Sequence, residues 1–181
     1  MTSRLQSVLD RLHDKKGVQH AVLAVESGDR SFSWFAADGK ADNTGRPMTP
    51  ETPYFIASVT KLYIAAVVLR LVERGLVHLD EPFVTYISEG IADRLHMLDG
   101  VDRTRDITVR HLLAHASGLA DYLEDKPKTG PRFIDRLLSE GDRDVTLNEV
   151  VDIVRDELKP HFPPQDLDAD GRVRVRYSDT N

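Results

Sequence analysis

The fold of this chain is decided by residues 55–74, which read FIASVTKLYIAAVVLRLVER. Apolar side chains recur on nearly every face of a helix drawn through this stretch. A helix that is apolar all round is normally buried, so the pattern predicts a buried helix from Ala57 to Arg74. Gly75 follows directly, after the basic residues of the last turns, which is typical of a helix C-terminus.

Ser58 and Lys61 lie three positions apart at the start of this predicted helix. That spacing brings the serine hydroxyl and the lysine amine to one helix face. A serine hydroxyl becomes a good nucleophile only when a neighbouring group takes its proton. Lysine can do so in its neutral form, which burial or positive neighbours favour. The alternative interpretation is a helix-capping serine beside a lysine that extends to solvent.

Before this stretch, residues 18–26 and 30–37 are rich in apolar and aromatic residues and are separated by Ser27-Gly28-Asp29. This pattern predicts a β-hairpin. Leu5, Val8, Leu9 and Leu12 predict an amphipathic helix before it. Two strands do not form a stable sheet alone, so we expect further strands, either from another polypeptide or from a part of the fold outside this sequence.

After residue 75, short helical patterns alternate with loops. Helices are predicted over 109–114, 131–139 and 147–158. Thr146 and Glu149 form a capping-box pattern at the start of the third helix. The chain therefore divides by prediction into residues 1–75, with the sheet and the Ser58 helix, and residues 76–181, a mostly helical domain.

Composition excludes several classes of function. The formal net charge is -6, and there is no cysteine, so disulfides and thiolate chemistry are absent. No basic stripe suggests nucleic-acid binding. Arg172, Arg174 and Arg176 alternate with valines, which predicts the solvent face of a short strand. We expect no membrane span, no metal site and no cofactor. The N-terminus lacks the apolar segment of a signal peptide, which predicts a cytoplasmic location unless a leader was removed.

Three segments together resemble one family. They occur in order along the chain: residues 55–61 with 76–82, then 107–119 (ITVRHLLAHASGL), then 177–181 (YSDTN). They are similar to segments of the serine β-lactamase and penicillin-binding-protein superfamily, in the branch of class C β-lactamases, D-Ala-D-Ala carboxypeptidases and related esterases. The resemblance implies an α/β (α+β) fold in which an antiparallel sheet flanked by helices is combined with an all-helical region. This chain would hold the N-terminal portion, with the sheet incomplete.

The resemblance also implies roles for particular residues. Ser58 would be the acylated nucleophile, Lys61 would hold or shuttle the proton, and Tyr177 would be the general base. Asp179 occupies the position where the family usually has a substrate-contacting asparagine. An ionised aspartate accepts hydrogen bonds but does not donate them, which tilts the expectation from amide substrates towards esters. His115 is expected to be a hydrogen-bonded structural residue.

The family's third motif is expected on a strand that follows the Tyr177 segment. Lys128-Thr129-Gly130 matches its letters, but prolines flank it and it precedes Tyr177, so we interpret it as a loop. In the family, that missing strand supplies one of two oxyanion-binding N–H groups. We therefore expect this chain to need a complementing C-terminal polypeptide segment.

Two functions from different classes remain. The first is a serine hydrolase that forms an acyl-enzyme on Ser58 with a small ester, β-lactam or D-amino-acid amide substrate. The second is a non-catalytic penicillin-binding-like sensor or scaffold, motivated by Asp179 and the missing strand.

Overall fold

The computed structural model of the chain describes residues 1–13, 15–88, 90–141 and 143–181. It contains two units, Met1–Ile56 and Ala57–Asn181. The division at residue 75 refers to the assembled fold and stays a prediction.

The first unit combines a helix with a hairpin, as predicted. Helix α1 (Thr2–His13) buries Leu9 completely. Strands β1 (His20–Glu26) and β2 (Ser33–Gly39) are antiparallel, and His20 pairs with Gly39 at the open end. Gly39 has a φ of +98°, and a Cβ there would lie 2.3 Å from the carbonyl oxygen of Gln19, so the site requires glycine.

The predicted helix at the Ser58 segment is confirmed, but its burial is not. A short 3₁₀ turn (Ala57–Val59) leads into α2 (Thr60–Glu73), and Gly75 follows with a φ of +69°. No residue of α2 is buried, and Leu62 is 70% exposed. The prediction of a buried helix was wrong because the described residues pack only against one side of α2, where Val68 meets a hydrophobic cluster.

The second unit has two apolar clusters formed by short elements. The helices are α3 (Val109–Leu113), α4 (Phe133–Glu140) and α5 (Leu147–Asp152), and α5 continues into a π-helical turn, Ile153–Glu157. The first cluster has seven buried members: Phe83, Leu95, Ile107, Val109, Leu119, Val151 and Val154. The second is built from Ala120, Phe133, Ile153 and Leu158. Val151 and Val154 belong to the first cluster, and Ile153 belongs to the second. Helix α5 and its π-helical turn therefore connect the two clusters.

Local structure in the second unit agrees with one prediction and departs from another. Thr146 caps α5 by accepting a hydrogen bond from the Glu149 N–H at 3.2 Å, which confirms the predicted N-cap. The Glu149 carboxylate accepts from Arg143 at 3.0 Å and does not complete the predicted capping box. The mostly helical region also contains a small hairpin, β3 (Met97–Leu98) with β4 (Val101–Asp102), which was not predicted.

The strand predicted around Arg172, Arg174 and Arg176 does not form. Only an isolated bridge joins Leu167 to Val173, and both Val173 and Val175 are exposed. The alternating pattern failed because no neighbouring strand in the described residues pairs with this segment. Among the described residues, no helix combines the length and apolar character needed to cross a membrane.

Candidate active site

Ser58 lies in a strained turn at the start of α2. Ala57, immediately before it, has a φ of +46°, in the left-handed region that non-glycine residues rarely occupy. Such backbone strain costs on the order of 1–3 kcal/mol and is frequent at functional sites. Ser58 and Lys61 both face the segment that carries Tyr177 and Asp179.

The structure brings all four predicted site residues together. The Ser58 Oγ lies 2.5 Å from the Tyr177 hydroxyl oxygen. The Tyr177 hydroxyl donates a hydrogen bond to Asp179 Oδ1 at 2.8 Å. The Lys61 Nζ lies 3.0 Å from the same Oδ1, and the Ser58 hydroxyl is 3.4 Å from it. Asp179 is therefore the point where the other three polar groups meet.

Lys61 reaches this point across the face of the tyrosine. Its Nζ is 5.4 Å from the centroid of the Tyr177 ring, within the range of a cation–π contact. In the described part of the chain, the hydrogen-bond partner of its ammonium group is Asp179 rather than the Tyr177 oxygen. The lysine and aspartate side chains are mostly shielded, at 29% and 18% exposure, which strengthens their attraction.

The segment 178–180 is fixed to residues 120–122 by a set of hydrogen bonds. The hydroxyls of the buried Ser178 and the half-buried Thr180 both donate to the Ala120 carbonyl oxygen, at 3.2 and 2.6 Å. The Asp179 N–H donates to Asp121 Oδ2 at 3.0 Å. These bonds hold the catalytic candidates on a rigid part of the backbone.

Asp121 is a supporting residue that the sequence patterns did not single out. It is 5% exposed, and its other oxygen accepts the N–H groups of Leu123 and Glu124 at 2.9 and 3.1 Å. The Asx-type turn signal at 121–124 is local and common, whereas the bond to Asp179 spans 58 residues. Sequence spacing alone therefore gave no reason to connect the two.

His115 supports Tyr177 from the side. The two rings are stacked, with centroids 4.7 Å apart. His115 Nδ1 accepts the Ser178 N–H at 3.2 Å, in agreement with the predicted structural role. Burial and the positive charge of Lys61 lower the pKa of His115, which favours the neutral imidazole that this acceptor role needs.

Opposing influences act on the Asp179 carboxyl. Burial raises its pKa, but the hydrogen bonds from Tyr177 and Lys61 and the lysine charge outweigh burial, so its pKa is below the ordinary value. Asp179 is thus ionised at neutral pH and presents a negative oxygen to Tyr177.

The segment 117–118 shapes the region next to the site. The Ser117 hydroxyl donates to Asn181 Oδ1 at 2.5 Å. Gly118 has a φ of +74°, and a Cβ there would lie 1.9 Å from the Phe162 carbonyl oxygen. Only glycine permits this close backbone approach.

Lys128-Thr129-Gly130 lies in a loop, as its flanking prolines predict. The Lys128 ammonium donates to the Asp156 carbonyl oxygen at 3.0 Å, and its N–H bonds to Glu157. Within residues 1–13, 15–88, 90–141 and 143–181, no group of three or more histidine, aspartate or glutamate side chains could hold a metal ion.

The model of the Beta-lactamase family matches residues 5–165, so this chain belongs to the β-lactamase family. The predicted superfamily and fold class are confirmed. The esterase EstB of Burkholderia gladioli is 36% identical over 125 residues, which are 68% of this chain and 30% of the esterase. Human LACTB, a mitochondrial serine β-lactamase-like protein, is 32% identical over 124 residues, 68% of this chain and 22% of LACTB.

Solved structures agree with this assignment. The D-amino acid amidase from Ochrobactrum anthropi SV3, complexed with L-phenylalanine, superposes with a TM-score of 0.66 and 26% identity. The match covers 99% of this chain and 42% of the amidase. The chain therefore spans less than half the length of these relatives.

Proposed function

We propose that this chain carries the nucleophile of a serine hydrolase that works through an acyl-enzyme on Ser58. The observation that carries the proposal is the 2.5 Å contact between the Ser58 and Tyr177 hydroxyl oxygens. A nucleophilic serine needs such a partner to receive its proton as the new bond forms. The described contacts give no support to the alternative of a non-catalytic sensor or scaffold.

Each of the four side chains has a role in this proposal. Ser58 attacks the substrate carbonyl, and Tyr177 receives the serine proton. Lys61 places a positive charge beside the tyrosine ring and holds Asp179. Asp179 accepts the hydrogen bond of the Tyr177 hydroxyl, which leaves a lone pair of the tyrosine oxygen to face the serine. The arrangement provides a nucleophile, a base and an orienting group, which is the general logic of covalent hydrolases.

Esters are the favoured substrate class. An ionised Asp179 cannot donate a hydrogen bond to a substrate carbonyl, so the amide recognition expected of an asparagine is lost. An ester has an easier leaving group and depends less on that contact. Similarity to the esterase EstB supports the same choice, whereas similarity to the D-amino acid amidase keeps an amide as the second substrate class.

The site is completed in this proposal by a further C-terminal polypeptide segment. Along the start of α2 and the turn before it, Val59, Leu62, Tyr63 and Val67 are neighbours at helical spacing and are each more than half exposed. Such a contiguous apolar face normally lies against a partner. The much greater length of the relatives is consistent with extra sheet strands in that place. Because one oxyanion N–H would come from such a strand, and losing one donor costs on the order of 100- to 1000-fold in turnover, the chain alone should be slow.

The test compares an ester with its matched amide, p-nitrophenyl butyrate and butyryl-p-nitroanilide. The chain is assayed alone and with a C-terminal segment taken from a relative. We expect a butyryl adduct on Ser58 by mass spectrometry, faster release from the ester, and faster turnover with the added segment. Ser58→Ala should abolish the adduct and Ser139→Ala, an exposed serine in α4, should not. Ester hydrolysis by Ser58→Ala at the same rate as by the natural chain would contradict the proposal.

A further inference from the structure

Three oxygen atoms lie in series at the site. The Ser58 Oγ contacts the Tyr177 oxygen at 2.5 Å, and the Tyr177 hydroxyl donates onwards to Asp179 Oδ1 at 2.8 Å. A hydroxyl has a single proton, so while Tyr177 donates to Asp179 it can accept the proton of Ser58. The three groups thus form a directed chain that begins at the nucleophile and ends at a carboxylate.

We propose that Asp179 is the terminal proton acceptor of a Ser58–Tyr177–Asp179 relay, and therefore a catalytic residue rather than a substrate-orienting one. The inference rests on the proposed function, because it describes how Ser58 is activated. An asparagine at this position, as the family resemblance would give, has no site that accepts a proton in this way. The substitution in this chain therefore changes the chemistry of the base.

Lys61 is not the acceptor in this arrangement. Its ammonium group is directed at Asp179 Oδ1 at 3.0 Å, and an ammonium group offers donors but no lone pair. It stabilises the negative carboxylate before the reaction. The same ammonium group lies over the face of the Tyr177 ring, 5.4 Å from its centroid.

The proton steps balance through the cycle. As the Ser58 Oγ bonds to the carbonyl carbon, the carbonyl π bond opens to an oxyanion, the serine proton moves to Tyr177, and the tyrosine proton moves to Asp179. When the oxyanion collapses, the bond to the leaving oxygen breaks, and that oxygen takes a proton from Tyr177, which is refilled from Asp179. Water repeats the sequence in deacylation and regenerates the Ser58 hydroxyl.

The surroundings of Asp179 set the expected pH dependence. Facing it are Lys61 from α2, Tyr177 from its own segment, and Asp121, which binds its N–H. The neutral ring of His115 lies behind Tyr177. Tyr122 follows Asp121 in the sequence, and the negative charge of Asp179 contributes to a raised pKa of its hydroxyl, after burial. Asp179 should therefore stay ionised, and able to accept a proton, at pH values below the ordinary aspartate pKa of about 3.9.

The test measures the rate of phosphonylation of Ser58 by a fluorophosphonate, followed by intact mass. Fluoride leaves without needing a proton, so the rate reports removal of the serine proton. It compares the natural chain with Asp179→Asn, Tyr177→Phe and the double variant. Asp80→Asn is the matched control, because it removes an aspartate that pairs with one cation, Arg110, outside the site. Thermal unfolding verifies that each variant is folded.

For a relay we expect Asp179→Asn to slow labelling at pH 7 by about 100-fold or more, the usual contribution of a general base. The double variant should be no slower than Asp179→Asn, since the carboxylate ends both the route through Tyr177 and the direct 3.4 Å contact from the Ser58 hydroxyl. The residual labelling rate of Asp179→Asn should rise with pH. The labelling rate of the natural chain should not change between pH 5 and pH 9, a range about 4 units wide that lies above a lowered carboxyl pKa.

Three outcomes would overturn the relay. Equal labelling of the natural chain and Asp179→Asn would show that Asp179 does not accept the proton, and the proposed function would survive. Additive losses in the double variant would assign Asp179 to a separate effect through Lys61. Absence of any Ser58 adduct in the natural chain, with the complementing C-terminal segment present, would instead contradict the proposed function, and the relay would fall with it.

Discussion

At the scale of single residues, the imidazole of His115 makes two contacts that position the site. It stacks on Tyr177 at 4.7 Å, and its Nδ1 accepts the N–H of the fully buried Ser178. Neither contact involves a proton transfer to substrate. His115 is thus a positioning residue, and its removal should affect the site through the placement of Tyr177.

We predict that His115→Ala destabilises the fold by about 2–4 kcal/mol, since it removes a stack and leaves a buried N–H without an acceptor. Labelling of Ser58 should also slow. His115→Asn offers an acceptor oxygen and tolerates the φ of +54° at this position, so it should recover part of the stability. Urea unfolding and fluorophosphonate labelling check both effects, and an Asn variant no better than Ala would contradict this account.

At the scale of elements, Gly118 shows how one close backbone contact fixes two loop segments relative to each other. A Cβ at Gly118 would lie 1.9 Å from the Phe162 carbonyl oxygen, a carbon-to-oxygen distance that cannot persist. The loop around residue 162 would have to move. The N–H of His161, the residue before Phe162, also donates to the Gly118 carbonyl oxygen. The two loop segments are therefore held together at this point.

We predict that Gly118→Ala destabilises the fold by at least about 3 kcal/mol, the range of severe packing clashes. Gly130→Ala is the matched control. Gly130 also has a positive φ, +87°, but no atom lies within 4 Å of the added methyl, so only backbone strain of about 1–2 kcal/mol remains. Similar losses for the two variants, measured by urea unfolding, would show that the clash is relieved cheaply.

Sequence patterns predicted the elements better than their surroundings. The hairpin, the Ser58 helix and the Thr146 cap follow from local rules of alternation, periodicity and capping. The exposure of α2 and the missing strand near Val173 did not follow, because burial and strand pairing depend on partners elsewhere in the chain. The four site residues were reached by combining the Ser58–Lys61 spacing with a family resemblance.

The supports of the site were harder to predict. Asp121 and Ala120 contact the 178–180 segment across 58 to 60 residues of sequence. No local period encodes a contact of that length, and aspartate in a turn has simpler explanations. Asp121 could have been found only from knowledge of the fold.

At the scale of the whole molecule, three histidines couple the fold to pH. Burial lowers the pKa of His96, His111 and His115 below the ordinary value of 6.5. Near that pH the unfolded chain therefore binds more protons than the folded chain. Stability is full above pH 6.5 and is lost as the pH falls from there towards the lower pKa values of the folded state.

We predict that the free energy of unfolding decreases as the pH is lowered from about 7.5 to about 5. This range extends from about 1 unit above to about 1.5 units below the ordinary histidine pKa. His96 is fully buried, and its Nε2 bonds to the Phe162 carbonyl oxygen at 3.0 Å. A glutamine can keep that donor, so His96→Gln should flatten the pH dependence. Urea unfolding at several pH values checks the slope, and a flat profile in the natural chain would refute the prediction.

The central claim, an activated Ser58, is tested most directly by an intact-mass spectrum of the chain after incubation with a fluorophosphonate. The account predicts a single adduct, mapped to Ser58 by peptide sequencing and absent from Ser58→Ala. An adduct that persists in Ser58→Ala, or an unlabelled natural chain even with a complementing segment present, would contradict it.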